Sequence, residues 1–92
     1  MKTWYKEYEA IKDKAILISE CDWEKMAEEE QNKLLSEKTV ITPVGQRYAC
    51  ALYTIKGNAS NLTDQQCAIF ADRGNLCFGY RMEGRTIVVY TD

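Results

Sequence analysis

Cys21 is the residue of this sequence best placed to start chemistry, because it follows the apolar run Ala15-Ile16-Leu17-Ile18 and precedes a helical stretch. A helix N-terminus lowers a thiol pKa. Its neighbours oppose that effect: Glu20, Asp22 and Glu24 disfavour a thiolate, and the chain has no histidine to take the proton. The missing histidine also removes Ser-His and Cys-His nucleophile pairs. Glu28, Glu29 and Glu30 are consecutive, so a helix spreads their carboxylates around its axis instead of aiming two of them at one atom. Neither G-x-x-x-x-G-K-S/T nor G-x-G-x-x-G occurs, and the five glycines are isolated. These features predict a non-enzymatic protein with no cofactor.

Four cysteines, Cys21, Cys50, Cys67 and Cys77, form no C-x-x-C pair, and without histidine no mixed zinc site is expected. Three of them lie in apolar periodic segments, where cysteine acts as a small core hydrophobe, so free thiols are expected. The start of the chain shows no secretory signal and no apolar run approaches the length of a membrane span, which predicts a cytoplasmic protein without a membrane. On that basis the glycosylation patterns at Asn58 and Asn61 carry no meaning.

A net charge of −2 argues against general nucleic-acid binding, which needs a basic surface to displace counterions. The distribution is more telling than the sum. Residues 1 to 46 carry seven Lys/Arg and ten Asp/Glu, whereas residues 47 to 92 carry five and four, and all four arginines fall in the second half. The acidic stretch at Glu24, Glu28, Glu29 and Glu30 could dock on a basic protein groove. Trp4 and Tyr5 could add to that contact, since tyrosine and tryptophan are favoured at interfaces and the N-terminal segment is weakly tied to the core pattern. Arg81 and Arg85, beside a predicted turn, could instead grip a phosphate or carboxylate, although their register points them to opposite faces.

The elements that must position these residues read as one α+β domain over residues 1 to 92. Trp4, Tyr8 and Ile11 recur at helical spacing, which favours helix over residues 3 to 13, although the aromatic content also suits a strand turned at Lys12-Asp13-Lys14; a strand from Ala15 to Ser19 follows. The unbroken apolar run places that strand centrally. Asp22 is a suitable N-cap for one helix reaching Glu37, with Trp23, Met26, Ala27 and Leu34 on its apolar face. Glu30 falls in the middle of that stripe. Strands at Thr39–Thr42 and Arg47–Lys56 are expected to meet through a turn at Pro43-Val44-Gly45-Gln46, the second strand being central. Thr63 and Gln66 form a capping box for a helix that buries Cys67, Phe70 and Ala71 and stops at Gly74. A turn at Glu83-Gly84 would align Leu76, Phe78, Tyr80 and Met82 with Ile87 and Val89 on the core face. Cys77, Gly79, Arg81, Thr86, Val88 and Tyr90 would share the other.

The expected fold is a four- or five-stranded antiparallel or mixed sheet with two or three packed helices. The expected role is that of a small binding protein, such as a phage- or mobile-element-encoded inhibitor, immunity or counter-defence factor, that occludes a larger protein partner. The alternative is an oligomeric binder of a small anionic ligand or nucleotide, with a homodimer as the candidate assembly.

Overall fold

A computed structural model describes residues 4–57, 61–75 and 79–90. Helix α1 (Tyr5–Ile11) runs into a 3-10 turn (Lys12–Lys14) and strand β1 (Ala15–Leu17). Helices α2 (Glu20–Lys25) and α3 (Glu28–Glu37) lead to the strands β2 (Thr39–Arg47) and β3 (Cys50–Lys56), helix α4 (Asp64–Ala71), and the strands β4 (Gly79–Glu83) and β5 (Thr86–Tyr90). The strands form one mixed sheet in the order β1-β2-β3-β5-β4. β1 and β2 are parallel, joined by the helical crossover that parallel pairing needs, and every other pair is antiparallel. The domain is therefore α+β.

Strand alternation divides the sheet into two faces. On the core face, Ala15, Ile41, Ile55, Ile87 and Val89 meet Ile11 of α1 and Cys67, Ala68, Ile69, Phe70 and Ala71 of α4. Ile41, Ile69 and Ile87 are fully buried, and each such side chain stabilises the fold by roughly 2 kcal/mol. On the outer face, α2 lies over one end of the sheet: Lys56 of β3 binds the Glu20 carboxylate at 2.9 Å and sits 5.8 Å from the Trp23 ring centre.

Local signals account for α4. Thr63 Oγ1 accepts from the Gln66 amide, and the Gln66 side chain accepts from the Thr63 amide, which satisfies two helix-end donors. At the other end Arg73 N donates to Phe70 O and Gly74 N to Ile69 O, a Schellman ending. Arg73 itself takes the left-handed conformation (φ 55°), and Gly74 follows with φ 78°. A Cβ on Gly74 would lie 2.8 Å from Tyr5 Cα, so only glycine lets α1 approach this closely. The Trp4 amide closes the contact by donating to Gly74 O at 2.7 Å.

Four expectations change. First, β1 is an edge strand: Ala15 and Leu17 pack into the core, Ile16 on the opposite face is only half-buried, and β2 is its one strand partner in the sheet order. Second, the single helix from Asp22 to Glu37 is two. Ser19, not Asp22, caps α2 by accepting from the Asp22 amide, and Met26 and Ala27 are extended (ψ 144° and 150°). No glycine or proline marks that break; the Gln31 side chain bridges it by donating to Trp23 O at 2.6 Å. Third, Pro43-Val44-Gly45-Gln46 is not a turn. β2 runs through it with a bulge between Pro43 and Gly45, and the chain reverses at Tyr48-Ala49. The proline and the positive φ of Gly45 (129°) serve the bulge on an unpaired edge. Fourth, the last turn is Gly84-Arg85, with Glu83 opposite Thr86. This moves the register by two residues, so the faces stay as expected: Tyr80 and Met82 oppose Val89 and Ile87 on the core side. Val88, on the mixed face, is fully buried. Leu76, Cys77 and Phe78 lie outside the described residues.

Candidate functional site

The candidate site residues scatter over the surface. Glu24 lies on α2, and Glu28, Glu29 and Glu30 form the first turn of α3, all exposed. None of the four carboxylates joins an ion pair among the described residues. The break at Met26-Ala27 turns Glu30 away from the sheet, and it lines a shallow groove with Met26, Lys33, Leu34 and Glu37. Trp4 is half-buried against the core. Tyr5 is 56% exposed and donates its hydroxyl to Glu9 Oε1 at 2.9 Å, a bond that raises the phenol pKa. Glu9 also pairs with Lys12 at 2.7 Å, which holds its carboxyl below the usual range.

Arg81 and Arg85 do not converge. Arg81 donates to Glu83 Oε2 and to the Tyr90 hydroxyl, both at 3.1 Å, while Arg47 reaches Glu83 Oε1 at 2.9 Å. The two guanidiniums, Arg47 first, depress the Glu83 pKa. Arg85, in the turn, donates through Nε to Ile55 O at 3.0 Å and accepts at its carbonyl from the Ile55 amide. It is a strap between the last turn and β3.

The thiols differ in setting. Cys21 is exposed in the first turn of α2 and Cys50 is half-buried. Cys67 is sealed in the core, where burial, followed by the Asp64 charge, pushes its pKa up to about 11. No group of three His, Cys, Asp or Glu among the described residues is arranged to hold a metal ion. The depression between α1 and α4 is lined by Glu7, Ala10, Ile11, Thr63, Gln65 and Gln66. It offers a carboxylate and no cation, and Thr63 and Gln66 are already spent on the helix cap.

One feature went unseen in the sequence. Every residue from Pro43 to Ala49 is exposed: β2 here runs past the end of β1 as an open sheet edge, while the β3 residues opposite it, Cys50 to Tyr53, pair onward with β5, and only the Tyr48-Ala49 turn stands beyond the sheet. Tyr48 stands at its tip, 100% exposed, in the left-handed region (φ 56°). That conformation is uncommon for a bulky non-glycine residue. Val44, 47% exposed, lies on the bulge below it. Tyr48 reads as part of a strand because Pro43 and Gly45 draw the turn toward themselves and nothing in Tyr48-Ala49 has turn character.

No helix among the described residues is long and apolar enough to cross a membrane. No family model, no curated protein and no solved structure matches this chain.

Proposed function

We propose that this chain is a non-enzymatic binding protein that occludes a protein partner, with the β2-β3 turn as its principal contact. The observation that carries the reading is Tyr48, an aromatic side chain fully in solvent on a strained backbone at the turn between β2 and β3. Such strain persists where the surrounding structure imposes it and concentrates at binding and switch sites. A tyrosine also gives a large contact at small entropic cost. The unpaired carboxylates of Glu24, Glu28, Glu29 and Glu30 would complement a basic rim on that partner. Inhibitors, immunity proteins and counter-defence factors of phages or mobile elements act by this kind of occlusion. The anionic-ligand reading is the weaker one, because Arg81 and Arg85 are separately engaged.

The test places a benzophenone amino acid at position 48 or at the exposed position 32 and exposes the tagged protein to a bacterial lysate. Crosslinking of one protein from position 48 but not 32, with capture reduced about tenfold by Tyr48→Ala, is the expected result. Undiminished capture by Tyr48→Ala would remove the β2-β3 turn from the interface.

A further inference from the structure

The sheet leaves backbone groups unpaired at three places, and they are not equivalent. β1 is only three residues long, and the free half of β2 is guarded by Pro43 and the bulge after it, two devices that stop a foreign strand from adding. β4, the last strand in the order, carries neither: Gly79–Glu83 has no proline and no register shift. A two-residue turn makes its flanking residues, here Glu83 and Thr86, a hydrogen-bonded pair, so Gly79, Arg81 and Glu83 bond inward to β5. Tyr80 and Met82 therefore direct their amide and carbonyl groups out from the edge.

We propose that this edge pairs antiparallel with β4 of a second copy of the chain, about a two-fold axis through Met82. Only this register uses the outward groups of Met82 against those of its own counterpart and also places Arg81 of each copy opposite Glu83 of the other. Moving the axis to Arg81 would set like charges face to face, which destabilises a cross-strand pair. Arg81 and Glu83 already bond along one strand. The same pair running in the other direction completes an alternating square of Arg81 and Glu83 side chains, in which each carboxylate, already bonded by Arg81 and Arg47 of its own copy, gains a further guanidinium across the seam. The result is a continuous sheet through two copies, with an isologous contact.

Sedimentation equilibrium over a concentration series tests the pairing in the full chain. The wild type is expected to show a monomer–dimer equilibrium, which R81E and E83R each weaken about tenfold by creating like-charge pairs. Mixed together, these two variants are expected to associate about as well as the wild type, because every cross-seam pair is then opposite in sign. M82P, which removes the outward amide at the axis together with a half-buried core side chain, is expected to be monomeric, and M82A, which removes the same side chain but keeps the amide, is expected to be folded by circular dichroism and to dimerise. A wild type that stays monomeric throughout, or single variants that self-associate as well as it does, would overturn the proposal.

Discussion

The two helical layers of this protein differ in what they bury. α4 hides five consecutive residues, Cys67 to Ala71, and ends in two complete caps, whereas neither α2 nor α3 contains a buried residue. Both layers lie on the same sheet, so the difference teaches where stability is held. The α1–α4 side supplies the dry core, and the α2–α3 side contributes a charged, replaceable surface.

The largest expected effect tests that division directly. Ile69→Ala, at a position with no exposure, should cost about 3 kcal/mol in urea denaturation, and Leu34→Ala, on half-buried α3, about 1 kcal/mol. Equal costs would erase the contrast. Next, Gly74→Ala puts a Cβ against Tyr5 Cα and adds strain at positive φ, so a loss of about 2 kcal/mol is expected. Arg73→Gly, one residue earlier, should instead stabilise by about 0.5 kcal/mol, because glycine relieves a left-handed conformation. Thermal denaturation of the two variants should therefore move Tm in opposite directions.

A smaller effect is expected at the caps. Thr63→Ala should lose about 1 kcal/mol, since α4 is locked into the core, and Ser19→Ala about half of that, since α2 can fray without exposing it. The last expected effect appears only at alkaline pH. The Cys67 thiol titrates near 9 when unfolded and near 11 when folded, so the folded state holds the proton more tightly. Its contribution is complete below pH 9 and is lost as pH rises toward 11, and Cys67→Ala should flatten this alkaline decline in stability. In alkylation mapped by mass spectrometry at pH 8, Cys21 should react while Cys67 stays protected.

The same contrast explains how much could be read from the sequence. α4 was legible because its signals are local: Thr63 and Gln66 at the start, apolar residues through Ala71, and glycine after the end. The core face of β4 and β5 was legible because a two-residue shift of register preserves alternation. The break at Met26-Ala27 was not, because it rests on a side chain eight positions from its acceptor. The reversal at Tyr48 was not, because pairing between β2 and β3 overrides the turn preference of Pro43 and Gly45. At the candidate surface, the exposure of Glu28 and Glu29 followed from helical spacing, whereas that of Glu30, which the spacing put in the apolar stripe, comes with the break at Met26-Ala27. The half-burial of Trp4 did not, because it depends on a glycine near the other end of the chain.

That contact between Trp4 and Gly74 also orders events during synthesis. α1 is seven residues long, too short to hold its shape alone, and the surface that receives it, α4 and Gly74, is made only after β1, β2 and β3. Tyr8 and Ile11 therefore wait, uncovered, until α4 has followed, and a helix made before the sheet settles only after it.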